Sequence, residues 1–188
     1  MRKISILVGH SRKSPGAISC APFYQSEYDF NMGFAQCLAA ALSEVFDCLV
    51  FFRDDQKLSE AYEEIVKFEP DLNIELHFNS SESDLAVGTE VLFSKYSAGP
   101  VAEWLQKALC TALNRTGPSD RGVKFLSPGS RGYSNTQYLN CPNVLIEPFF
   151  GSNAQDCELG RKNMDRMAAE IRNNLMLYFG VGAAEELD

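Results

Sequence analysis

Several things are scarce in this chain of 188 residues: it has two histidines, one tryptophan, and 17 Lys plus Arg against 25 Asp plus Glu, for a net charge of −8. A surface of that sign repels phosphate backbones, so no nucleic-acid partner is expected. Long apolar runs are missing too. The longest, such as Ile4 to Val8, span five to seven residues, against the roughly 18 to 20 needed to cross a bilayer, so no membrane span is expected. Met1-Arg2-Lys3 imitates the start of a signal peptide. The run after it is too short for the apolar region and meets Gly9-His10 instead of a small-residue cleavage site, which predicts synthesis in the cytoplasm without a signal peptide. None of the six cysteines lies in a Cys-x-x-Cys spacing. A chain of this length buries roughly 70% of its unfolded surface without staples, so free thiols are expected. There is no internal repeat, and the 13 glycines and 8 prolines follow no period, which excludes collagen-like and low-complexity chains.

What is present is alternation. Ile4 to Val8, Cys48 to Phe52, Leu72 to Leu76 and Val144 to Ile146 are short runs rich in β-branched or aromatic residues, separated by segments with helical spacing. Phe34, Leu38, Ala41, Leu42, Val45 and Phe46 predict a helix from about Glu27 to Phe46. A second is predicted over Leu58 to Glu69, stopped by Pro70. A third starts near Pro100, with Val101, Trp104, Leu105, Ala108, Leu109 and Leu113 on its apolar face, which assigns Trp104 to the core. A fourth runs from about Gln155 to Phe179 and ends at Gly180. The pattern predicts an α/β fold: a mostly parallel twisted central sheet of about six strands with helices on both faces. Thr89 to Phe93 reads as an antiparallel or edge addition, and Thr116 to Asn143 as surface loop with a strand-like stretch at Val123 to Leu126. One domain is expected over residues 1–180, with a disordered acidic tail over 181–188.

Ligands of open α/β sheets bind beyond the carboxyl ends of the strands. His10, His77 and Glu147 each follow a strand run, so parallel strands bring them to one edge, and Glu27 opens the helix after the first strand. Two imidazoles and a carboxylate form a zinc ligand set that leaves a fourth position for water, whose pKa falls to about 7 on the metal. A second carboxylate held off the metal then serves as general base. Singly, each residue has a plain structural reading: a strand-end histidine is commonly a hydrogen-bonded group, and a glutamate at a helix start is favoured by the dipole. Together they point to a metal centre, because an unpaired Glu147 buried there costs several kcal/mol without a role or partner.

The same residues carry a family resemblance. Gly9-His10, Glu27 ahead of Asn31, Glu75-Leu-His-Phe-Asn79, Gly88-Thr-Glu-Val-Leu-Phe93, Arg121-Gly-Val-Lys124 and Leu145-Ile-Glu-Pro-Phe-Phe-Gly-Ser-Asn153 follow in the order seen in zinc-dependent N-acetylmuramoyl-L-alanine amidases. The chain resembles the amidase-3 family, and within it the catalytic domains of phage endolysins, from Lys3 to about Phe179. The resemblance implies a zinc amidase domain over residues 1–180, with His10, Glu27 and His77 as zinc ligands and Glu147 as the catalytic glutamate. It implies cleavage of the amide between the lactyl group of N-acetylmuramic acid and L-alanine in peptidoglycan or muropeptides. A cell-wall lytic or remodelling enzyme is expected, a phage or prophage lysin best fitting a bacteriolytic protein that acts on the wall after release. Two features depart from the family pattern: Ser11-Arg-Lys-Ser-Pro15 stands where many relatives have a glycine-rich segment, and Pro148 follows Glu147 where a small residue is commoner.

Other residues keep two readings. Glu75, two positions before His77, is a hydrogen-bond partner of the site, its acid/base, or a carboxylate packed beside a basic residue. Asn79 orients substrate or begins a turn; Arg121 binds a stem-peptide carboxylate or is an ordinary solvated arginine. Phe149 and Phe150 read as packing. The rival functions are a zinc exopeptidase or other amidohydrolase on a similar fold, and a wall-binding module without turnover.

Overall fold

In a computed structural model, which describes residues 1–54 and 56–182, six strands form one sheet in the order β2-β1-β3-β6-β4-β5. They are β1 (Lys3–Ser11), β2 (Asp47–Arg53), β3 (Leu72–Leu76), β4 (Thr89–Phe93), β5 (Asp120–Phe125) and β6 (Asn143–Glu147). All neighbouring pairs are parallel except β4 with β6. The helices are α1 (Glu27–Leu42), α2 (Leu58–Phe68), α3 (Gly99–Leu113), α4 (Tyr133–Gln137), α5 (Ala154–Lys162) and α6 (Met164–Phe179). The α/β architecture expected from the alternation is thus observed.

Strand alternation divides the core. Ile4, Ile6, Val8, Ile74, Leu76, Val144 and Ile146 project to one face, where α1, α3 and α6 cover them. Leu7 faces the other way and packs with Ala61, Tyr62 and Ile65 of α2 and with Leu139. That second face is unusual in being partly polar: Ser5, Asn73, Glu75 and Asn143 are all buried there. Their groups bond each other across the strands, Ser5 Oγ donating to Asn73 Oδ1 at 2.7 Å and Asn73 Nδ2 to Asn143 Oδ1 at 2.7 Å. Buried polar atoms are tolerable only when satisfied in this way.

Several elements differ from the sequence-based expectations. The first helix stops at Leu42, because Ser43 caps it and turns its hydroxyl back to Ala39 O; Phe46 is buried in the turn that follows. The fourth predicted helix is two helices. At Asn163 the backbone leaves helical geometry (φ −110°, ψ 22°), and the side-chain Nδ2 donates to Leu159 O, so an amide side chain closes α5 and its own carbonyl starts α6. Thr89–Phe93 is antiparallel to β6 but not an edge: β5, longer than its predicted stretch and built within the supposed loop 116–143, lies outside it. That segment also contains α4. Trp104 is half-buried under Lys107, whose Nζ lies 5.1 Å from the ring centroid, while Ala102 and Gln106 are buried on α3. The six cysteines are free. The predicted tail over 181–188 falls, from residue 183 onward, outside the described residues.

The antiparallel strand decides what the site contains. β1, β3 and β6 end at one edge of the sheet, and β4, running the other way, begins there, with Glu90 in register opposite Glu147.

Candidate active site

Each residue reaches that edge by a different device. His10 lies near the end of β1 with φ +67°, a left-handed backbone that bends the strand at the site. Glu27 is the first residue of α1, set there by Ser26, whose Oγ accepts the Asp29 N–H at 3.1 Å. His77 follows β3, and its own N–H donates to Ile146 O, which places it beside Glu147 at the end of β6.

The three expected ligands converge. His10 Nε2 lies 3.1 Å from Glu27 Oε2, and His77 Nδ1 lies 2.8 Å from Glu27 Oε1. One donor atom from each of the three residues lies within 4.8 Å of the other two. Atoms tetrahedrally bound to one zinc ion at about 2.0–2.1 Å stand about 3.3 Å apart, so small side-chain rotations bring this set to a common ion. The His10–Glu27 contact is short but too poorly aligned for a hydrogen bond, as suits donor atoms directed at a third body. Two glycines make room. A Cβ at Gly16 (φ +78°) would stand 2.7 Å from Glu27 Oε2 and from the His10 ring, and one at Gly9 would stand 2.7 Å from the His77 ring. The residues present therefore fit a divalent ion, zinc above all for an N2O set.

The electrostatics of the metal-free site follow from burial and pairing. Burial pushes the Glu27 pKa up, but the close approach of His10, the hydrogen bond to His77 and the charges of both rings outweigh it and pull the pKa down to about 2. Burial disfavours a charged His77, yet both its ring nitrogens face carboxylate oxygens, Glu27 at 2.8 Å and Glu75 at 3.0 Å, and its pKa is pushed up to about 10. Glu147 goes the other way: burial, with the charges of Glu27 and Glu90, overrides the attraction of His77 and Arg131 and raises its pKa to about 8. Its Oε2 is buried and has no hydrogen-bond partner among the described residues. An unbonded oxygen on a carboxyl that titrates near neutrality can take up or give a proton.

Asn79 and Arg121 flank these groups and are joined through Glu90, which stands at the start of a strand and not after one. Glu90 Oε1 accepts from Asn79 Nδ2 and Oε2 from Arg121 Nε, each at 2.7 Å. Arg121 belongs to β5, not to a loose segment, and its guanidinium sits 5.0 Å from the Phe150 ring centroid. Phe149 and Phe150 are buried, as packing requires. Among the described residues no Lys or Arg forms an ion pair with Glu75; its Oε1 lies 3.0 Å from His77 Nε2.

The model of the family described as N-acetylmuramoyl-L-alanine amidase matches residues 4–176. Among solved structures, the chain is similar to the catalytic domain of CwlV, an N-acetylmuramoyl-L-alanine amidase from Bacillus (Paenibacillus) polymyxa var. colistinus, at 24% identity and TM-score 0.82, covering 96% of this chain and 99% of that one. It is similar to an N-acetylmuramoyl-L-alanine amidase from Clostridium difficile 630 at 21% identity and TM-score 0.80, covering 96% and 98%. The catalytic domain of an endolysin targeting Clostridia difficile aligns at 25% identity and TM-score 0.69, covering 94% and 98%. A search of the curated proteins returned no match.

Proposed function

The chain belongs to the N-acetylmuramoyl-L-alanine amidase family, and from that premise we propose a zinc-dependent hydrolase of the amide between the lactyl group of N-acetylmuramic acid and L-alanine. Its metal is held by His10, Glu27 and His77, and its acid/base is Glu147. The observation that carries this reading is the convergence of two histidines and a glutamate from distant parts of the chain beside the unbonded Oε2 of Glu147.

When bound, zinc supplies Lewis acidity: it acidifies water and polarises a carbonyl. The remaining work falls to side chains. Glu147 Oε2 takes the proton of the attacking water as the C–O bond forms, then delivers it to the nitrogen of L-alanine as the C–N bond breaks. Burial makes this carboxylate more basic than an exposed glutamate, which favours uptake of the water's proton. Glu27 has little freedom to swing away, because its Oε1 and Oε2 also accept the Phe78 and Ala17 N–H groups at 3.2 and 3.3 Å. Glu90 holds both Asn79 and Arg121, and the partly exposed guanidinium of Arg121 would meet a stem-peptide carboxylate. A wall-lytic role of the endolysin kind is supported by the 25% identity to an endolysin catalytic domain, and action on the wall after release from the cytoplasm is part of the same proposal.

Digestion of purified cell walls tests the reaction. New L-alanine amino termini are expected from the wild type; release of free terminal amino acids instead would mark an exopeptidase. Glu147→Ala should keep its zinc by elemental analysis and lose hydrolysis by at least about a hundredfold, the scale of general acid–base catalysis. An unchanged rate removes Glu147 from the mechanism.

A further inference from the structure

Glu75 is a carboxylate in the middle of a central strand, in register with Leu7 on one side and Leu145 on the other, and only 1% exposed. An apolar residue would serve the sheet better there, because a buried charge is costly unless every lone pair in reach is met. Three donors meet it. Tyr62 Oη of α2 donates to Oε2 at 2.7 Å, Asn135 Nδ2 of α4 donates to Oε1 at 2.7 Å, and His77 Nε2 lies 3.0 Å from Oε1. Asn135 is tied in turn to the polar ladder beneath the sheet, its carbonyl accepting from Asn143 Nδ2 at 2.8 Å. A chain of hydrogen bonds therefore runs from β1 through Ser5, Asn73, Asn143 and Asn135 to Glu75 and ends on the His77 ring.

We propose that Glu75 is the positioning residue for the metal ligand His77: it holds the Nε2 proton, so the imidazole is fixed in one tautomer and one orientation, with Nδ1 presented to the ion. The two ring nitrogens are divided by their neighbours. Nδ1 faces Glu27, itself a proposed ligand, and Nε2 faces Glu75, which stands on the side away from Glu27 and bonds no other proposed ligand. A carboxylate behind a ligating histidine fixes the ring and makes the coordinating nitrogen more basic, raising metal affinity. Tyr62 and Asn135 keep Glu75 from rotating, so α2 and α4, on the face of the sheet opposite α1, take part in ordering the site. Of the roles open to Glu75 from sequence, acid/base is disfavoured by this arrangement, since both its oxygens are engaged by protein donors.

The inference rests on the metal reading above, and two measurements separate the fates of the two. Because the chain has only two histidines, nitrogen NMR of histidine-labelled, zinc-loaded protein resolves both rings, with His77→Ala assigning them. The expected spectrum has His77 protonated at Nε2 and zinc-bound at Nδ1. Competition with a chromophoric chelator then gives zinc affinity for wild type, Glu75→Gln and Glu75→Ala, with apo melting curves as the check on folding. Both variants should bind one zinc per chain with affinity lowered roughly tenfold to a hundredfold, alanine more than glutamine. Zinc bound through Nε2, or variant affinities within twofold of wild type, overturns the role of Glu75 and leaves the metal site standing. A wild type that takes up no zinc overturns both. The tautomer measurement needs no Glu75 variant, so it decides the matter even if neither variant folds.

Discussion

At the scale of single residues, the site is a contest between desolvation and pairing, and Glu147 is where desolvation wins. Its carboxyl titrates at about 8 in the folded metal-free protein, through burial first and the carboxylates of Glu27 and Glu90 second. Below the ordinary glutamate value both folded and unfolded chains carry the proton, so Glu147 costs nothing. Between that value and about 8 the unfolded chain releases the proton while the folded one keeps it, and stability drains away as pH rises. Glutamine imitates the neutral form. Metal-free Glu147→Gln is therefore expected to match wild type near pH 4 and to exceed it by a few kcal/mol at pH 9, measured by urea unfolding with chelator present. Parallel stability profiles across that range would mean that the folded site solvates the charge. His10, His77 and Glu147 were legible because each follows a recognisable apolar run, and Glu27 because it opens a helix with a clear apolar stripe. Glu90 was not: it stands at the beginning of its strand, and only the antiparallel direction of β4 brings that beginning to the edge where the other strands end.

At the scale of elements, the start of α1 matters more than its length. Ser26 Oγ accepts the Asp29 N–H and donates to Asp29 Oδ2 at 2.6 Å, so the first turn is closed on itself with Glu27 in its first position. A loosened first turn would move a proposed metal ligand directly. Ser26→Ala should cost about 1 kcal/mol in denaturant unfolding of the metal-free protein, the usual worth of such a cap, and should weaken zinc binding in addition. Loss of stability without any loss of zinc affinity would show that the Phe78 and Ala17 amides alone suffice to place the carboxylate. The helix that periodicity ran together over residues 155–179 shows where sequence patterns stop being informative. Leu159, Met167, Ile171 and Leu175 keep helical spacing across Asn163, but one side-chain amide capturing Leu159 O breaks the helix without disturbing the apolar rhythm. β5 was legible only in its second half, at Val123 to Phe125, because an exposed edge strand needs no continuous apolar run and Asp120–Phe125 has none.

At the scale of the molecule, the sheet and the site can be separated energetically. The larger core cluster runs from β1 to α6 and contains none of the four proposed catalytic groups, so folding has a driving force that does not pass through the metal. In the empty site Glu27 and His77 stabilise each other, while Glu147 is crowded by burial and by the carboxylates of Glu27 and Glu90. A zinc ion would relieve that crowding and would bind only the folded arrangement, because its proposed ligands are separated by 17 and 50 positions in the chain. The protein should therefore behave unlike a zinc finger: chelator ought to leave the far-ultraviolet circular dichroism of the α/β fold intact, while zinc at about 1,000 times its dissociation constant adds about 4 kcal/mol of stability and raises Tm. His10→Ala should fold, with a Tm that barely responds to zinc. Collapse of the fold in chelator would instead make the ion part of the core, and an equal zinc response in His10→Ala would place the stabilising ion elsewhere.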